Sequence, residues 1–251
     1  MPFLMPYARG GGRGAFQTGG VTFDGSSDRM NLASELTGLV DGTKVLISFW
    51  IKMAADGAQE HILANAAGFV NMYRSAGNKL IITTTNPANT ANPVSLTSST
   101  TINIAAGWTH VCVAWDSDAA VARRQMYING VDDSPTDASN TTGNSDYTRG
   151  SWFFGAGHAN GDLLTADIAE CFLDFNETLD LSVAGNIEKF IRGGKPINLG
   201  LTGEKPLGSS PLIYFRRAVG DAASTFATNL GTGGNFTITG ALANSSTSPT
   251  D

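Results

Sequence analysis

An all-β chain, folded as a sandwich of two antiparallel sheets, is what this sequence predicts, and three observations predict it. Helical periodicity is almost absent along its 251 residues. Short apolar runs recur between clusters of Gly, Asn, Asp, Ser and Thr, at the spacing of sandwich strands. The stretch Gly107–Gly130, GWTHVCVAWDSDAAVARRQMYING, reads as a strand, a polar loop and a second strand ending on Asn-Gly, the dipeptide that supplies a positive-φ turn.

The strands follow in order. Predicted strands are Val21–Phe23, Val45–Met53, Glu60–Asn65, Phe69–Arg74, Lys79–Thr84, Val94–Thr97, Trp108–Trp115, Gln125–Ile128, Trp152–Gly155, Ala166–Asp174, Leu212–Phe215 and Phe236–Thr239. Each alternates or runs apolar between turn residues. In Trp108–Trp115 one face carries Trp108, His110, Cys112 and Ala114, and the other carries Thr109, Val111, Val113 and Trp115. Neither face is polar, so this strand is expected to be covered on both sides, with its indoles filling the core. The best helical pattern is Ser182–Ile191, with Val183, Ile187, Phe190 and Ile191 on one face; Ser34–Leu39 is a second, shorter candidate.

Composition limits the function classes. Apolar residues are 41% of the chain, enough for a sizeable core, while charged residues are 15%, below the usual quarter. The net charge of −6, with no basic run beyond pairs such as Arg123-Arg124 and Arg216-Arg217, argues against nucleic acid. No run approaches the length of a membrane helix. The opening MPFLMPYARGGGRG lacks the basic start and unbroken apolar centre of a signal peptide, so synthesis in a host cytoplasm is expected. Cys112 and Cys171 each sit in an apolar run and read as buried free thiols, with a bridge between them left open.

Residues 1–20 read as an extended arm with a Gly-rich hinge, and residues 21–244 as one sandwich. Within it, 21–194 form a core and 195–244 an extension returning strands to it; 245–251 are a polar tail. The fragments VTFDG at Val21–Gly25, VLISFWIKM at Val45–Met53, WTHVCVAWD with MYINGV, and ADIAECFLDFNETL in the run Gly150–Phe190 occur in an order that resembles laminin-G-like, concanavalin A-like jelly-roll domains. The resemblance covers roughly Val21 to Phe190 and implies a jelly roll with extended termini. It also implies that a structural calcium held by loop oxygens is a fair question, with Asp116/Asp118, Asp24/Asp28 and Asp162/Asp167 as candidates. Loop aspartates more often serve as turn residues. The stretch GGKPINLGLTGEKPLGSSPLIYF resembles C-terminal parts of structural proteins of tailed bacteriophages.

Catalytic patterns are missing. Retaining glycosidases of this fold carry two carboxylates on one strand face, in a Glu-x-Asp-x-x-Glu string that does not occur here. Glu170 and Asp174 stand four apart without a third acid and read as outward polar positions. YFRRAVG at Tyr214–Gly220 echoes an alginate-lyase string whose Gln-Ile-His partner is missing. His61, His110 and His158 have no metal-ligand partner at close spacing, and His110 reads as a core histidine. GAGHANG joins two strands and so fails as a phosphate loop. Asn-x-Ser/Thr strings at Asn140, Asn176, Asn235 and Asn244 carry little weight in a Thr-rich chain. A sugar site would need exposed aromatics on a concave face. Tyr73, Tyr147 and Trp152 are the candidates, while Trp50, Trp108 and Trp115 read as core.

The expectation that follows is a non-enzymatic structural protein of a bacteriophage particle, a capsid decoration or tail-associated protein. It would be homo-oligomeric or lattice-bound and contact other virion proteins such as capsid or tail subunits, with no catalytic, cofactor or metal residues assigned. Phe3, Leu4 and Tyr7, held extended by Pro2 and Pro6, are the expected assembly anchors. The alternative is a carbohydrate-binding, lectin-like module or virion adhesin, and behind it a polysaccharide-cleaving enzyme.

Overall fold

The computed structural model describes residues 16–118, 120–121, 123–135 and 141–251. Phe3, Leu4, Tyr7 and Asn140 lie outside the described residues. Among the described residues seventeen strands follow in chain order. The first six are β1 (Val21–Asp24), β2 (Arg29–Leu32), β3 (Lys44–Met53), β4 (Glu60–Asn65), β5 (Val70–Arg74) and β6 (Lys79–Thr84). The next six are β7 (Val94–Thr101), β8 (Thr109–Asp116), β9 (Arg123–Ile128), β10 (Val131–Asp132), β11 (Trp152–Phe154) and β12 (Thr165–Asp174). Then come β13 (Ile191–Arg192), β14 (Lys195–Pro196), β15 (Ile213–Phe215), β16 (Thr237–Thr239) and β17 (Ala243–Asn244). Two large antiparallel sheets result. One has the order β10-β9-β8-β3-β12-β1-β17, with β15 also paired to β12; the other has the order β16-β2-β11-β4-β5-β6-β7.

The all-β jelly-roll expectation holds, and the opening stretch explains why. β8 and β9 pair in register from Val111↔Ile128 to Asp116↔Arg123. Asn129 and Gly130 turn the chain at φ 52° and 78° into the short β10, as an Asn-Gly turn of left-handed residues requires. All eight residues of β8 are buried. Val111, Val113 and Trp115 enter the core between the sheets, beside Phe23, Trp152, Phe154 and Phe215. Cys112 and Ala114 enter a second apolar cluster on the outer face of the eight-stranded sheet.

That second cluster is a cover. Leu181, Ile187, Phe190, Ile191 and Leu199 lie over Leu46, Trp50, Ala169, Phe172 and Tyr214. The segment expected as helix Ser182–Ile191 forms one short turn, α1 (Ala184–Ile187), with Ile187 its sole buried residue. Gly185 and Asn186 are poor helix formers in its middle, and burial of Phe190 and Ile191 fixes the path instead. Ser34–Leu39 forms no helix but a turn, with Leu36 and Leu39 buried.

The indoles divide. Trp115 is fully buried and its Nε1 donates to Tyr147 Oη at 3.1 Å. Trp108, expected in the core, is half-buried and clasps the termini: its Nε1 donates to Thr247 Oγ1 at 3.0 Å, and a Cβ on Gly20 would lie 2.7 Å from its ring. Gly19 pairs with Arg217, and Ser248 is buried against Thr18. Cys112 and Cys171 are free and enter different clusters on opposite faces of the sheet. No described helix is long and apolar enough to cross a membrane.

Candidate functional site

The two sheets differ in what covers them. The outer face of the eight-stranded sheet lies under the 181–199 cover, whereas the outer face of the seven-stranded sheet stays open over β5, β6 and β7 and is covered at β4, where His61 and Ala64 are buried. Strand alternation places one residue of each strand there in a continuous cross-strand row. The row reads Thr237, Asn31, Phe153, Ala64, Asn71, Thr83 and Ser95. A second row carries His61, Tyr73, Ile81 and Thr97. Apart from a titratable imidazole, no side chain in either row carries a charge.

Tyr73 and Phe153 are half-exposed aromatics of this face, and Tyr73 stands over its open part. Its ring packs on the His61 imidazole, with centroids 5.1 Å apart and planes at 33°. His61 is nine-tenths buried, with Nδ1 3.5 Å from Asp162 Oδ2. Burial and the neighbouring His158 hold its pKa below the ordinary imidazole value against the opposing pull of Asp162. The loop from Gly155 to Asp162 walls one side. A Cβ on Gly157 would lie 3.0 Å from His61 Nδ1, and one on Gly68 would lie 3.2 Å from both Asn71 Nδ2 and His158 Nδ1. Only glycine lets these backbones approach so closely. Asn71 Nδ2 donates to Gly68 O at 2.6 Å, while its Oδ1 is buried without a donor. The arrangement therefore offers a ring face, amide groups and hydroxyls over β5, β6 and β7. These strands span roughly 10 Å at ordinary inter-strand spacing.

The other sequence candidates fall elsewhere. Tyr147 and Trp152, expected as exposed platforms, are fully buried. Trp152 packs on Phe175 with centroids 4.9 Å apart. In Trp152-Phe153-Phe154 the alternation is set by neighbours, and it is Phe153 that faces out, paired with Asn31 and Ala64. No alternation of polarity within that run reveals this.

Glu170 and Asp174, expected to point outward, are buried. Glu170 occupies a β-bulge between Ala169 and Phe172, at φ 51°, which turns its carboxylate onto Tyr214 Oη at 2.9 Å. Burial pushes its carboxyl above the usual range, against the Thr18 and Tyr214 hydroxyls and Arg216. Asp174 is a turn residue, accepting from the N–H groups of Asn176 and Glu177 at 2.8 and 3.0 Å. His110 is a core residue, its Nε2 2.9 Å from Ser48 Oγ.

The aspartates weighed for calcium accept from backbone N–H groups, hydroxyls and one side-chain amide. Asp24 accepts from the N–H groups of Ser26, Ser27 and Asp28, which, with the Ser26 hydroxyl, hold its carboxyl well below the usual range. Asp28 accepts from Ala241 N, Asp116 from Asp118 N, and Asp118 from Ala120 N. Asp167 accepts from the Thr22 and Ser245 hydroxyls, and Asp162 from Gln59 Nε2. Among the described residues no three His, Cys, Asp or Glu side chains gather as a metal site.

The two sheets and their strand order define a concanavalin A-like jelly roll. The laminin-G-type family of the concanavalin A-like lectin/glucanases superfamily matches residues 24–173, more than half of the chain, and the protein belongs to that superfamily. Its structure is similar to a heptameric pentraxin of Limulus polyphemus (12% identity, 91% of this chain and 94% of that chain, TM-score 0.54). It is also similar to a Bacteroides ovatus protein assigned as carbohydrate-binding (11% identity, 91% and 59% of the two chains, TM-score 0.57). Mouse laminin α1 domains LG4-5 align over 67% of this chain and 44% of theirs, at 14% identity and TM-score 0.48. At such identities the likeness is one of fold. No curated protein sequence matches the chain.

Proposed function

We propose that the protein is a non-catalytic glycan-binding module whose site is the open face of the seven-stranded sheet, centred on Tyr73. One observation carries this reading: the chain covers one sheet face with apolar side chains and leaves, over β5, β6 and β7 of the other, the amide of Asn71 and the hydroxyls of Thr83, Ser95 and Thr97 around a half-exposed aromatic ring. The C–H face of a sugar ring packs on such a ring while its hydroxyls meet amide and hydroxyl side chains. Superfamily membership and the resemblance to carbohydrate-binding folds support it. The Glu170–Asp174 pair supports the non-catalytic part, since a bulge ties one acid to Tyr214 and a turn occupies the other. This reverses the ranking read from sequence, where a structural role led. The two readings meet in a particle-borne adhesin, and the sequence features named above are what support a virion setting. Co-purification with particles tests that setting.

A glycan array probed with the parent and with Tyr73→Ala tests the site. Binding to a defined glycan class, lost in Tyr73→Ala at an unchanged melting temperature, is the expected result. Equal binding by both proteins, or none by the parent, overturns it.

A further inference from the structure

A second candidate site lies on the other side of the sandwich, away from Tyr73. Where residues around Leu201, the 216–221 turn and the segment Thr225–Leu230 converge, a groove of about 460 Å³ opens. It is lined by Leu201, Ala218 and Leu230 on its apolar side and by Arg216, Asp221, Thr225 and Thr228 on its polar side. That volume falls within the range of small-molecule sites. Leu201 is 81% exposed, so its side chain is free to contact a ligand.

Arg216 distinguishes the groove. Its side chain is four-fifths buried and stacks on the Phe16 ring, 4.8 Å from the centroid. Its Nε stands 3.5 Å from Glu170 Oε1, and both atoms are buried without a hydrogen-bond partner. Beyond that ion pair its contacts are the Tyr214 hydroxyl and Phe16, and no carbonyl or carboxylate oxygen accepts from its terminal Nη groups among the described residues. A guanidinium has five donors in a fixed planar fork. Burying it with so few acceptors is costly unless an acceptor arrives from outside. Glu170 holds the fork from behind: its bulged, positive-φ backbone directs the carboxylate to Tyr214 and Arg216. Such conformational strain concentrates at functional positions.

We propose that this groove binds a carboxylate, with the Arg216 fork as its anchor and the Leu201–Leu230 wall against the ligand body. The carboxylate matches the fork in two parallel hydrogen bonds. Thr225, Thr228 and Asp221 then face the ligand's hydroxyl groups, which favours an acidic sugar unit over a plain fatty acid.

Calorimetric titration of the full chain with D-glucuronate, D-glucose and hexanoate tests this. D-Glucuronate is expected to bind, D-glucose at least tenfold more weakly, and Arg216→Gln to lose at least tenfold in glucuronate affinity. Arg216→Lys keeps the charge without the fork and is expected to lose several-fold, which also serves should Arg216→Gln fail to fold. Binding of hexanoate as tight as glucuronate would support the carboxylate and make the source a free apolar acid. Tyr73→Ala is expected to leave these affinities unchanged, which separates this site from the open face. Equal binding of glucose and glucuronate, no binding of either acid, or an Arg216→Gln variant as tight as the parent overturns the proposal.

Discussion

Replacing Trp115 by alanine, beside the same change at Trp108, tests the division of the two indoles that bracket β8. Trp115 is fully buried between the sheets, and its indole N–H donates to Tyr147. Removing it forfeits the burial of a large ring, leaves a cavity and strips the buried Tyr147 hydroxyl of its donor. Core Trp→Ala changes cost about 3–5 kcal/mol. For a chain of this length, each kcal/mol moves the melting temperature by roughly 2–4 °C, so the expected drop is roughly 6–20 °C. Trp108 is half-buried, and its N–H reaches the Thr247 hydroxyl. About half the burial and one hydrogen bond are at stake, about 1–3 kcal/mol. Its loss is expected to loosen residues 16–20 and 243–251 first. Thermal melts read the first quantity and amide hydrogen exchange the second. A Trp115→Ala melt within about 3 °C of the parent refutes the core assignment, as does a Trp108→Ala shift of equal size.

Two further outcomes follow from buried groups. His110 is fully buried, and desolvation holds its pKa down to about 3 against 6.5 when exposed. The unfolded chain therefore binds a proton there that the folded chain refuses. Stability present above pH 6.5 is lost as pH falls toward 3, by about 1.4 kcal/mol per unit from this residue. Urea unfolding of parent and His110→Gln between pH 7 and 5 should show a shallower slope in the variant, and identical slopes contradict the assignment. Burial also raises the pKa of both cysteines, so neither thiol is expected to react with a disulfide reagent in the native state. Both should react in urea without prior reduction; a native reaction counts against their burial, and thiols found only after reduction count against their placement on opposite faces of the sheet.

Much of the fold was legible because its long strands carry their own signal. Glu60–Asn65 and Lys79–Thr84 have the predicted bounds, β3 and β12 each start one residue earlier than predicted, and β8 is shifted by one residue at both ends. What escaped was short or held by partners. β2, Arg-Met-Asn-Leu, has a single fully buried apolar residue, and only pairing with β11 and β16 makes it a strand. β13 and β14 form a two-residue ladder around Gly193-Gly194. The site was less legible than the fold. Tyr73 stands between Met72 and the buried Arg74, so alternation could place it. Trp152, Phe153 and Phe154 are apolar throughout, so their parity is fixed by pairing with β2 and β4 and is invisible in sequence. His61 was weighed only as a metal ligand, whereas the structure gives it to Tyr73 as a stacking partner. The outward reading of Glu170 failed because a bulge shifts side-chain parity within β12, and no glycine marks that bulge.

The central claim is that the open face of the seven-stranded sheet binds a glycan around Tyr73, and amide hydrogen exchange with the strongest array ligand tests it most directly. Ligand-dependent protection is expected at β5, β6 and β7 and in the 155–162 loop, with none at the 181–199 cover of the other sheet. Protection confined to that cover, or to the groove formed by Gly38, Val40 and Asn176, would contradict the account.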